Sequence, residues 1–147
     1  MDIHNILSLD CTVCAVEGTS KKRILEIISQ IAAERLEKID QATILNSLSC
    51  RERMGSTGIG NGIALPHGRL ANLEKVTAVL ITSNPSVAFD AIDNQPVDIF
   101  FAILVPEGQT DGHLQTLATI AAKLNDKDII KAIRGAADDT ALYQAIA

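Results

Sequence analysis

Tryptophan is absent from the chain, and aromatic residues of all kinds amount to only 3%. Proteins that bind nucleic acid rely on a basic footprint and often on stacked rings. Here the formal net charge is −5, so the composition argues against a nucleic-acid partner. Long apolar runs are missing as well. Hydrophobic residues make up 47% of the chain, yet charges break every stretch short of the roughly 20 residues a membrane helix needs. No membrane insertion is therefore expected. The opening MDIHNILSLD shows no basic segment followed by an apolar one, so no signal peptide is expected. Cysteine is scarce, at three residues. An odd count without a secretory signal predicts reduced thiols and a cytoplasmic protein.

What is present suits one ordinary domain spanning 1–147, long enough to bury a core. Neither a repeat nor a Pro/Ser-rich linker divides it. The pair Cys11 and Cys14 has C-x-x-C spacing, but a zinc site wants a second pair and only Cys50 remains. A redox pair would sit where a strand meets a helix. Cys11 and Cys14 instead interleave with Val13 and Val16 in a strand-like pattern, so they read as structural cysteines.

Periodicity predicts a strand over 11–17 and a helix from Ser20, with Ile24, Ile27, Ile28, Ile31 and Leu36 on its apolar face. A second helix runs from Asp40 through Ile44, Leu45 and Leu48 towards Arg53, and the glycine-rich stretch 55–62 stops it. Residues 62–65 read as a short strand, because Pro66 pushes Leu65 out of the helical region. Two β segments follow at 76–83 and 97–105. The second is almost continuously apolar, as in a strand covered on both faces. Asp93-Asn94 marks a turn between them. Helices are expected from Thr110 or Asp111, with Leu114, Leu117, Ile120, Ala121 and Leu124 buried, and near 127–134 and 138–146. Helices alternating with strands imply an α/β layered domain.

The glycines of GSTGIGNGIALPHGR invite a phosphate-loop reading that their spacing refuses. Gly55 and Gly60 are placed as in a P-loop, but Asn61 stands where lysine is required. Gly58, Gly60 and Gly62 give G-x-G-x-G rather than the dinucleotide fingerprint. Ser56 lacks the G-x-S-x-G context of a hydrolase nucleophile. His4, His67 and His113 have no metal-ligand spacing, so neither a metal nor a cofactor is expected.

His67 remains. It follows Pro66 at the end of a strand-like run, and Gly68 leaves out a side chain beside it, giving room for a large group to approach. A neutral imidazole is a competent nucleophile near pH 7, since its ordinary pKa is ~6.5. A plain turn histidine fits the same residues. His113 lies in the first turn of the third main helix, where the macrodipole disfavours imidazolium and a neutral ring can donate to an anion. Arg51 ends the second helix just before the glycines and offers a forked donor for phosphate oxygens. Each has a bland alternative as a solvated helix-end residue. His4 reads as a surface residue.

RERMGSTGIGNGIALPHG followed by DGHLQTL resembles the EIIA components of the phosphoenolpyruvate-dependent phosphotransferase system, of the mannitol/fructose type. GSTGIGNGIALPHG and FDAIDNQPVDIFFAILVP resemble the nitrogen-related branch most, and the likeness covers nearly the whole chain. The resemblance implies a mixed-sheet α/β sandwich flanked by helices, a phosphohistidine intermediate and no metal. His67 matches the phosphorylated histidine, His113 the second active-site histidine and Arg51 the active-site arginine. The family's usual isoleucine before the proline is Leu65 here. The implied donor is an HPr-like phosphocarrier (NPr), and the implied targets include potassium-transport and sensor-kinase components. A stand-alone fructose- or mannitol-type EIIA feeding a separate EIIB is the alternative reading.

Overall fold

The apolar run VDIFFAILVP forms the strand on which the sheet is assembled. The computed structural model describes residues 3–108 and 111–146, without the side chains of 111–114. After a short 3-10 turn at Ile3–Asn5 come β1 (Leu7–Val16), α1 (Lys21–Arg35), α2 (Gln41–Arg53), β2 (Gly58–Gly60), β3 (Ile63–Ala64) and β4 (His67–Leu70). The second half comprises β5 (Thr77–Val87), β6 (Val97–Pro106), α3 (Asp111–Lys123), α4 (Lys127–Gly135) and α5 (Asp139–Ala145). The strands make one mixed six-stranded sheet in the order β1-β5-β6-β3-β2, with β4 also paired to β6. Apart from half-buried Asp98, every residue of β6 is buried, which requires cover on both faces. The expected α/β sandwich flanked by helices is the observed architecture.

β6 runs antiparallel to β5, from Thr77↔Leu104 to Thr82↔Ile99. Its other edge is shared. β3 takes the first part through Ile63↔Ile99 and Ala64↔Phe100, and β4 takes the rest from His67↔Ile103 to Leu70↔Pro106. The register does not slip between the two: Ala64 to His67 and Phe100 to Ile103 are the same step. Pro66 causes the interruption, since it has no N–H to give the ladder. The Leu65 N–H turns away from β6 and donates to the Thr57 carbonyl at 3.0 Å, while the Pro66 carbonyl accepts from Ile103 N–H at 2.9 Å.

α2 begins at Asp40, whose carboxylate accepts from Thr43 N–H at 2.9 Å. The Thr43 side chain, and after it that backbone N–H, hold the Asp40 pKa below its ordinary value. The helix lies on β4 with almost no space between. A Cβ added at Gly68 would overlap the Ser47 hydroxyl and fall 3.1 Å from the Ser47 carbonyl carbon. The Ser47 hydroxyl donates to the Arg69 carbonyl at 2.8 Å. Gly68 therefore serves the packing of α2 rather than an approaching ligand, which corrects the sequence expectation for it. Arg51 is one turn beyond Ser47 on the same helix face, so this packing brings Arg51 over the start of β4.

The β2–β3 turn, Gly60–Gly62, is held from outside the sheet. Arg134 on α4 donates Nε and Nη2 to Asp98 at 3.0 and 2.9 Å and Nη2 to the Asn61 carbonyl at 2.7 Å. Gly62 has φ +78°, and a Cβ there would meet Asp98 Oδ1 at 2.8 Å, so glycine is required twice over. Gly62 thus lets the turn close against Asp98 and Arg134.

Two expectations about the first strand change. β1 starts at Leu7 rather than residue 11, because Leu7 is buried and pairs with Ala78; its last pairing is Val16↔Ser83, which leaves Glu17 outside. Cys11 is buried and Cys14 half-buried within β1, and both thiols are free, as expected of structural cysteines. His4 is not a plain surface residue. Its ring stacks on Tyr143 at 4.0 Å between centroids, and its Nε2 lies 3.1 Å from the Tyr143 carbonyl. That contact ties the N-terminal turn to α5. α3 begins as expected, with Ile120 and Leu124 buried; the Leu114 and His113 side chains lie outside the described residues.

Candidate active site

His67 opens β4 immediately after the break that Pro66 makes in the ladder, and its ring is half-buried. Both ring nitrogens are engaged. Nδ1 lies 2.8 Å from the Leu65 carbonyl. A carbonyl only accepts, so Nδ1 carries the proton and Nε2 keeps the lone pair. Arg51 Nε donates to that lone pair at 3.2 Å. The same guanidinium donates Nη1 to the Gly55 carbonyl at 2.9 Å, within the turn that follows α2. The sequence-predicted pair His67 and Arg51 is thus in direct contact.

The electrostatics keep the ring neutral. Burial lowers the His67 pKa below its ordinary value, and the Arg51 and Arg69 charges push the same way. The Leu65 carbonyl and the Glu52 carboxylate oppose them, but the net direction is down. At pH 7 the group is a neutral imidazole with one proton fixed on Nδ1 and an electron pair on Nε2. That is the state in which histidine acts as a nucleophile. A cation stands beside the pair, placed to meet negative charge arriving there.

His113 falls in the first turn of α3, and its side chain lies outside the described residues. Sequence reasoning missed the groups that support the pair. Glu52 is buried beside Arg51, and its carboxylate accepts from Thr57 N–H and from the Thr57 hydroxyl at 3.0 and 2.6 Å. From sequence, Glu52 in RER looks like one more solvated charge at a helix end, and nothing local separates it from Arg53. Among the described residues no three of His, Cys, Asp and Glu gather as a metal-ligand set.

Residues 5–147 match the family described as "Phosphoenolpyruvate-dependent sugar phosphotransferase system, EIIA 2". The chain belongs to this family. Within it, this EIIA is 47% identical over 147 residues to the nitrogen regulatory protein of Escherichia coli (strain K12), covering 99% of the chain and 90% of that relative. The fold agrees. The nitrogen regulatory protein IIA-Ntr from Neisseria meningitidis superposes with a TM-score of 0.91 at 35% identity, over 99% of both chains. The mannitol IIA of Escherichia coli shares the EIIA fold at a TM-score of 0.74 and 15% identity, over 100% of this chain and 99% of that one. No described helix is long and apolar enough to cross a membrane.

Proposed function

We propose that this EIIA is a phosphocarrier of the nitrogen-regulatory branch, accepting a phosphoryl group on Nε2 of His67 from an HPr-like phosphohistidine carrier. The observation that carries the reading is the fixed Nδ1–H···O contact to Leu65, which leaves Nε2 as the one nucleophilic nitrogen, with Arg51 beside it. In the transfer, the Nε2 lone pair forms the new N–P bond as the donor's N–P bond breaks, and that electron pair returns to the donor's ring nitrogen. The His67 Nδ1–H stays in place, and its bond to the Leu65 carbonyl strengthens as the ring gains positive character. Arg51 leaves the lone pair and turns its N–H groups to the phosphoryl oxygens, where charge stabilisation and in-line positioning govern the rate. His113, from the first turn of α3, donates to the same oxygens.

The regulatory part of the proposal rests on the likeness to nitrogen regulatory proteins along nearly the whole chain. Phosphorylation state would then report nitrogen or potassium status to target proteins such as potassium-transport or sensor-kinase components, in the cytoplasm. Exposed Met54 and Ile92 and part-exposed Ile59 lie on the segments around the turn that follows α2 and offer a small apolar surface for transient docking.

The test is incubation with phosphoenolpyruvate, an enzyme I-type protein and an HPr-like carrier. The chain should acquire acid-labile, base-stable phosphate, and His67→Ala should acquire none. Persistent labelling of that variant would remove His67 from the reaction. Rapid onward transfer to a fructose- or mannitol-type EIIB would favour a sugar-uptake role instead.

A further inference from the structure

Both supports of the His67 ring lead back to one residue, Glu52: one to its buried carboxylate, the other to its main-chain carbonyl. On the Nδ1 side, the ring donates to the Leu65 carbonyl, the Leu65 N–H donates to the Thr57 carbonyl, and Thr57 donates its own N–H and hydroxyl to Glu52. On the Nε2 side, Arg51 holds the ring and anchors its Nη1 on the Gly55 carbonyl, while the Gly55 N–H donates to the Glu52 carbonyl at 3.2 Å. The two paths close into a ring of hydrogen bonds whose only common member, apart from His67, is Glu52.

Removing a carboxylate from water is unfavourable unless it is paired and its lone pairs are filled. The Glu52 side chain is 5% exposed and meets both conditions. Lys21, the first residue of α1, reaches in with Nζ 2.8 Å from Oε2, and Thr57 fills the other positions. Lys21 is held in turn over the Phe89 ring at 4.7 Å and near Asp90 at 3.5 Å. A hydrophobic side chain of similar size would fill the space but could not gather Thr57 and the turn before it. The charge is retained where it orders residues 52–57 and joins them to α1.

We infer that Glu52 is a positioning residue for phosphoryl acceptance: through Thr57 and the 52–57 turn it fixes which nitrogen of His67 carries the proton and where Arg51 meets the other. The inference rests on reading His67 as the phosphoryl acceptor. Glu52 does not touch the reacting atoms. Its carboxylate holds Thr57, and through it the Leu65 carbonyl on the Nδ1 side, while its main chain anchors the turn that seats Arg51 on the Nε2 side, so that the lone pair stays on Nε2.

The experiment uses the full chain carrying Glu52→Gln, which keeps the size and loses the charge. Two readouts are taken: the rate of phosphate arrival from a charged HPr-like carrier, and the protonation pattern of the His67 ring by long-range proton–nitrogen NMR. Positioning predicts a fall of about 10- to 100-fold in the maximal rate, with little change in the donor concentration giving half that rate. It also predicts that the ring changes from a single Nδ1–H form to a mixture of tautomers. A purely structural tie predicts only a lower unfolding midpoint, with rate and ring pattern as in the parent; that result would overturn the inference. If Glu52→Gln does not fold, Lys21→Met and Thr57→Val each remove one partner. They should shift both readouts in the same direction, and parental values in both variants would also overturn it. His67→Ala separates the two levels. If it still takes phosphate, the acceptor assignment fails, while the ring pattern of Glu52→Gln, in which His67 is intact, still reports on Glu52 by itself.

Discussion

The Nε of Arg51 lies 3.2 Å from the Nε2 of His67, so a guanidinium occupies the lone pair that the proposed reaction needs. The contact is self-consistent only with the proton on Nδ1, where the Leu65 carbonyl accepts it. In the proposed reaction Arg51 has two positions to serve, one on the ring and one on the phosphoryl oxygens. Arg51→Ala is expected to slow phosphate acceptance by roughly 10²- to 10³-fold, the usual range for loss of a charge-stabilising donor. Arg51→Lys keeps the charge but lacks the fork that reaches both the ring and the Gly55 carbonyl, and should fall between the two. Rapid-quench measurement of transfer from a charged donor checks both, and a parental rate in the alanine variant would count against the role.

The His67 pKa gives a second prediction. Burial and the neighbouring arginines place it below the ordinary ~6.5. NMR titration should find the ring neutral at pH 7, with its midpoint under that value. Arg51→Ala removes one of the lowering charges and uncovers the ring, so the midpoint should rise. The stability sign follows from linkage. The unfolded chain takes up the proton first, so the folded state loses stability as pH falls from about 6.5 through the folded value; above that window the group contributes nothing. A midpoint above the ordinary value would show that the ring is not desolvated as described.

Gly68 yields a prediction of stability rather than chemistry. Alanine there meets the Ser47 hydroxyl and, at 3.1 Å, the Ser47 carbonyl carbon, and the hydroxyl is already committed to the Arg69 carbonyl. Overpacking of this kind typically destabilises by ~1–3 kcal/mol. Urea unfolding of Gly68→Ala should show a lower midpoint with an unchanged slope. Ser47→Ala in the same chain should recover part of the loss, since the clash with the hydroxyl disappears.

His113 is tested by its absence. His113→Ala should slow transfer while leaving His67 able to accept phosphate, because His113 is proposed to donate to the phosphoryl oxygens and not to carry the group. Stopped-flow transfer at parental rate would remove it from the site.

The sequence made some of this visible and hid the rest for identifiable reasons. β6 was legible because a strand covered on both faces has to be apolar at every position but its edges. α1 and α2 were legible from helical spacing and the caps Ser20 and Asp40. β2 and β4 were not. They are three and four residues long, glycine and basic residues fill them, and only their pairing with β3 and β6 makes them strands. β5 runs to Val87, past the expected end at residue 83. At the site, Arg51 and His67 carry recognisable chemistry in recognisable positions. Glu52 does not, because burial is a property of the folded chain: the same letters describe a solvated glutamate until Lys21 and Thr57, 31 and five residues away, are brought to it.

The seating of Ser47 on Gly68 has a consequence for motion. Arg51 and His67 come from different elements, and a site split in this way would ordinarily lose alignment whenever helix and strand drift apart. Here the helix backbone rests on the strand backbone one turn from the arginine, and the hydroxyl of Ser47 bridges them. The last turns of α2 and the four residues of β4 should therefore open as one cooperative unit, their amides exchanging with solvent at a common free energy. Whatever loosens one half of the site releases the other.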